Sequence, residues 1–88
     1  MKTPSKRVKA YVLIETAAGK AKTVKKALSR IKAGPSTMVH LDGITGPYDF
    51  IAIVEGPSLD AVGRLVTDGI GTIDGVTRTT TCVAVTIG

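Results

Sequence analysis

Phe50-Ile51-Ala52-Ile53-Val54-Glu55 carries no polar residue until its last position, so both faces of the strand it forms are apolar. The same phrase stands once earlier, as Tyr11-Val12-Leu13-Ile14-Glu15. Each is followed by an amphipathic stretch and then by a second extended segment, 38–45 after the first and 76–87 after the second. The chain therefore spells strand–helix–strand twice. Right-handed crossovers place both helices of two such units on one face of a four-stranded antiparallel sheet. The expected class is α+β, a ferredoxin-like βαββαβ plait.

The first helix is expected over 19–31, because Val24, Ala27, Leu28 and Ile31 recur with helical spacing while Lys22, Lys25, Lys26 and Ser29 point elsewhere. Gly34 and Pro35 stop it. Asp42-Gly43 is a place for a bulge or bend in the second strand. Ser58 is the expected N-cap of the second helix, whose core stripe is Leu59, Val62, Leu65, Val66 and Ile70. Two helices cover one sheet face, and nothing in 88 residues remains for the other, so a second subunit is expected there.

Composition narrows the function. Eighty-eight residues leave room for one domain, at 8–88, preceded by a basic arm at 1–7. A chain this short buries only about 60% of its unfolded surface, so association helps it. Ten of the twelve basic residues fall in the first 32 positions. A solvated helix face and tail explain that asymmetry, and so does weak contact with a polyanion. The sequence has no apolar run of transmembrane length and no signal-peptide pattern, which makes the cytoplasm the expected location. Cys82 has no partner for an internal disulfide and is expected to pack as a small hydrophobe. His40 stands without a second histidine or a nearby cysteine, so neither a metal nor another cofactor is expected. No nucleophile–base–acid set can be assembled, and catalysis is not expected.

One turn stands apart. Gly46-Pro47-Tyr48-Asp49 enters the third strand, and its backbone N–H groups and the Asp49 carboxylate together suit a small zwitterion. An ordinary hairpin turn, with Asp49 bonded to local backbone, is the plainer alternative. Near the other end, four threonines within five positions, Thr77 and Thr79 to Thr81, fit either an exposed edge strand or a hydroxyl-lined site.

The element order, the Gly-Pro-Tyr-Asp turn at 46–49 and the Gly-Val-Thr-Arg-Thr-Thr-Thr stretch at 75–81 together resemble the Lrp/AsnC ligand-binding domain, also called the RAM domain, over roughly 8–87. The resemblance implies dimers closed sheet to sheet as an α/β barrel, assembly of dimers into larger homo-oligomers, and amino-acid binding at contacts between dimers. Carried onto this chain, it implies an effector site of Gly46, Tyr48 and Asp49, with hydroxyls from Thr79 and Thr81. Only seven residues precede the first strand, so the resemblance is to stand-alone members without the helix-turn-helix, and sequence-specific DNA binding is not expected. The expected function is an amino-acid-sensing, oligomerising module with no enzymatic activity and no membrane partner, able to co-assemble with full-length Lrp/AsnC regulators. The alternatives are a purely structural assembly module and a small dimeric α/β-barrel enzyme.

Overall fold

The structure is a computed structural model that describes residues 7–32 and 34–87. Of the expected basic arm only Arg7 falls among them, and the rest of the arm lies outside the described residues. In chain order the elements are β1 (Val8–Thr16), α1 (Ala21–Ser29), β2 (Thr37–Gly43), β3 (Phe50–Gly56), α2 (Leu59–Arg64) and β4 (Val76–Val83). The sheet order is β2-β3-β1-β4, and every neighbouring pair is antiparallel. The two strands that read as apolar on both faces, β1 and β3, are the central pair. The βαββαβ plait is the observed fold.

Pairing of Val12 with Ala52 and of Ile14 with Phe50 sets one face of the central strands. Ala10, Val12, Ile14, Phe50, Ala52 and Val54 point toward the helices and are buried. Val24 and Leu28, four residues apart, close over them from α1, and Val62, Leu65 and Ile70 do so from the α2 layer. On the opposite face Tyr11, Leu13, Ile51 and Ile53 are only half-buried.

Ser58 caps α2 as expected, its hydroxyl accepting from the Ala61 N–H at 3.0 Å. Four local features depart from the sequence reading. First, α1 is shorter than 19–31. The N–H groups of Arg30 and Ile31 donate to the carbonyls of Ala27 and Leu28 at 3.1 and 3.2 Å, tightening the chain and ending the α-helix at Ser29. Second, the bulge in β2 lies at Val39, while Asp42 and Gly43 pair in regular register with Ile51 and Phe50. Met38 and Leu41 are three apart and would point to opposite faces of a regular strand. The extra residue lets both face the core, opposite Val54 and Ala52.

Third, Leu59 lies outside the core, 60% exposed at the first helical position. Below Arg64 the helix widens into a π turn (Leu65–Gly69) and then a 3-10 turn (Ile70–Thr72). The π spacing brings Leu65 and Ile70, five residues apart, onto the buried side. Fourth, β4 ends at Val83. The Ala84 N–H still donates to the Lys9 carbonyl at 2.8 Å, but β1 starts at Val8, and Val85 and Ile87 stand exposed beyond it.

Candidate functional site

The 44–49 turn is pinned at both ends. The Ile44 N–H donates to the Asp49 carbonyl at 2.9 Å, and the Asp49 N–H donates to the Ile14 carbonyl at 2.8 Å. Gly46 turns the chain at φ +125°, a conformation that a side chain rarely permits. Pro47 is exposed, whereas Tyr48 and Asp49 are half-buried against the sheet.

Asp49 is committed to β1. Its Oδ2 accepts from both the Thr16 N–H at 2.7 Å and the Thr16 hydroxyl at 3.0 Å. The plainer alternative, Asp49 bonded to local backbone, is not what the structure shows: the carboxylate reaches the end of β1, 33 positions away in sequence. Tyr48 is committed to β4, with its hydroxyl 2.7 Å from Thr80 Oγ1. The Arg78 guanidinium lies 5.4 Å from the centre of the Tyr48 ring, and its Nε is 3.9 Å from Glu15 Oε1. Thr77 donates to the same Glu15 oxygen at 3.0 Å. One end of the sheet thus gathers two carboxylates, a guanidinium, a phenol and several hydroxyls around one turn.

Of the expected site residues, Gly46, Tyr48 and Asp49 stand together, but Thr79 and Thr81 do not join Tyr48. Thr79 pairs with Ile14 and Thr81 with Val12, which places both on the helix side of the sheet. Thr80, opposite Leu13, takes the place beside the phenol. Thr80, Arg78 and Glu15 were missed by the sequence reading. Their shared signal is alternation: with Thr79 and Thr81 on one face, Arg78 and Thr80 must lie on the other. β4 is an edge strand, one of the two explanations offered for its threonines.

Cys82 is exposed on the open face opposite Tyr11, and not packed as expected, because no element of this chain covers that side of β4. Among the described residues no group of three or more His, Cys, Asp or Glu side chains could hold a metal ion. His40 Nε2 instead sits 2.9 Å from Asp42 Oδ2 on the exposed strand β2. A groove of about 390 Å³ lies between the C-terminal end of α1 and β2, floored by Leu28, Ile31, Met38 and Leu41. It shares no residue with the turn cluster.

The plait has a counterpart among known proteins. The family model for the Lrp/AsnC ligand binding domain matches residues 9–87. The chain belongs to the Lrp/AsnC ligand-binding domain family. A solved structure from Thermus thermophilus is 27% identical, with a TM-score of 0.78, covering 92% of this chain and 96% of that one. Escherichia coli AsnC is 22% identical, with a TM-score of 0.76, covering 91% of this chain and 52% of its own. A transcriptional regulator from Neisseria meningitidis, solved as a complex with L-Met, is 15% identical, with a TM-score of 0.69 over 90% of this chain and 50% of that one. These last two show the shared fold, and this chain spans about half of each. Comparison with curated proteins gives no match.

Proposed function

We propose that this Lrp/AsnC domain is a non-enzymatic, homo-oligomeric, cytoplasmic module that binds a small amino acid at the Gly46–Asp49 end of the sheet. The observation that carries the reading is the turn cluster. Its carboxylates, Asp49 and Glu15, match an ammonium group, and the Arg78 guanidinium matches a carboxylate in a fixed planar fork. Such paired charges on a half-exposed surface become selective when a neighbouring subunit removes them from water. The meningococcal relative that carries L-Met supports the ligand class.

The half-buried apolar face of β1 and β3 supports the assembly. Tyr11, Leu13, Ile51 and Ile53 are covered when a second copy packs its sheet against this one, which closes an α/β barrel. Ligand held near a subunit contact then favours one assembly over another by its differential affinity. Thr79 and Thr81, on the other face, would reach a ligand only from a neighbouring dimer. The same face offers a route to mixed oligomers with full-length Lrp/AsnC regulators, and native mass spectrometry of such mixtures tests that route.

The decisive experiment is the melting temperature at fixed protein concentration against the twenty amino acids at millimolar levels. A ligand at about 100 times its dissociation constant stabilises by roughly 2.7 kcal/mol, several degrees in a domain of this size. A selective shift that vanishes in Arg78→Gln establishes the site. A flat panel leaves a purely structural assembly module.

A further inference from the structure

Helix α1 is charged on one side with a single sign. At 100° per residue Lys22, Lys25, Lys26 and Ser29 fall on one face, with Arg30 at the C-cap just beyond them, while Val24 and Leu28 fall on the other and are fully buried. All four cations are exposed, and among the described residues none has an ion-pair partner. The seven acidic residues of the chain all lie outside this helix, and its first turn has none to offset the positive helix end. Lys22, Lys26 and Arg30 are successive four-residue neighbours, and like charges at that spacing repel. A soluble helix surface needs interspersed signs, not one sign held against its own repulsion.

We propose that this face of α1 binds the phosphate backbone of duplex nucleic acid without regard to sequence. Lys22 to Arg30 covers about 12 Å of helix axis, along which a duplex presents about seven phosphates. An extended acidic peptide offers at most about one charge per 3.3 Å, a much poorer match. An anionic membrane fits less well, because none of the exposed large apolar residues, Val39, Leu59, Val83, Val85 and Ile87, lies on α1 to enter the lipid. No aromatic residue stands on the helix to stack on bases, so single strands gain no extra affinity. The helix layer lies opposite the open sheet face, so α1 stays accessible when that face is covered. The inference does not depend on the amino-acid reading.

Fluorescence anisotropy of the full chain with two labelled duplexes of about 20 base pairs and unlike sequence tests it. Both duplexes should bind within about threefold of each other. Four phosphate contacts predict a log–log salt slope of about −3 to −4, a loss of about 100-fold between about 50 and about 200 mM salt. Lys22→Gln/Lys26→Gln should reduce the slope by about 2, and the added changes Lys25→Gln and Arg30→Gln should remove most of the remainder. Glutamine keeps helix propensity, and circular dichroism checks the fold. Arg64→Gln on α2 should bind as the parent does. Unchanged binding in the quadruple variant would overturn the proposal. So would equal losses in Arg64→Gln, or capture by phosphatidylserine vesicles without capture by duplex.

Discussion

Asp49 and Thr16 lie 33 positions apart in sequence, and one carboxylate oxygen of Asp49 accepts both the backbone and the hydroxyl hydrogen of Thr16. The carboxylate therefore anchors the turn to the end of β1. Asp49→Ala should cost about 2 kcal/mol, because it removes charge-assisted bonds from a half-buried pair. Asp49→Asn keeps an acceptor for the Thr16 N–H and should cost less than half as much, yet lose the amino-acid response. Denaturant melts of the two variants with and without ligand separate the roles. Equal stability of Asp49→Ala and the parent would refute the anchoring role.

Tyr48 and Thr80 form the second tie, 2.7 Å between hydroxyls. Tyr48→Phe and Thr80→Val should each cost about 1 kcal/mol, and the double variant little more than either alone. A double-mutant cycle with fully additive losses would show that the two hydroxyls do not cooperate.

Val12 and Ile53 test the two faces of the sheet. Val12 is fully buried beneath the helices, and an unpaired aspartate there costs several kcal/mol, so Val12→Asp should unfold the chain. Ile53 faces the open side and is half-buried, so Ile53→Asp should leave the secondary structure intact and dissociate the proposed oligomer. Light scattering with circular dichroism reads both outcomes. An Ile53→Asp protein that keeps the parent mass would remove the open face from the assembly.

Gly75 sits at φ +103°, and a Cβ there would stand 2.9 Å from Val24 Cγ2 and 3.0 Å from Lys20 Cβ. Gly75→Ala should therefore cost about 2–4 kcal/mol through strained backbone and overpacking together. A melting temperature within a degree of the parent would contradict that crowding.

Ser36 makes the opposite case. Its hydroxyl is buried and has no hydrogen-bond partner. Ser36→Ala removes an unsatisfied group and should leave stability equal or raise it by up to about 1 kcal/mol. A clear loss in urea melts would mean that a water satisfies the hydroxyl.

The fold was legible because β1 and β3 are apolar on both faces, and only central strands of a covered sheet read that way. The repeat then fixed the order of the rest. Features governed by distant partners were less legible. The Val39 bulge follows from placing Met38 and Leu41 on one face, which requires knowing their partners on β3. Leu59 fits a helical stripe that the π turn at Leu65–Gly69 reshapes further along the chain. The turn was recognisable from its residue types and the family resemblance. Its contacts were not, because the choice among Thr79, Thr80 and Thr81 rests on a register where one position flips the face.

The bulge at Val39 has a consequence for how copies of this chain meet. A flat outer strand offers its unpaired amides and carbonyls as a template to any passing chain. β2 is an outer strand, but its extra residue and the flanking His40–Asp42 pair break that template. Sheet extension from this side is disfavoured, so identical molecules cannot readily stack edge on edge into a fibre here. The half-buried apolar surface of β1 and β3 can therefore stay open without the β2 edge offering a second route to precipitation.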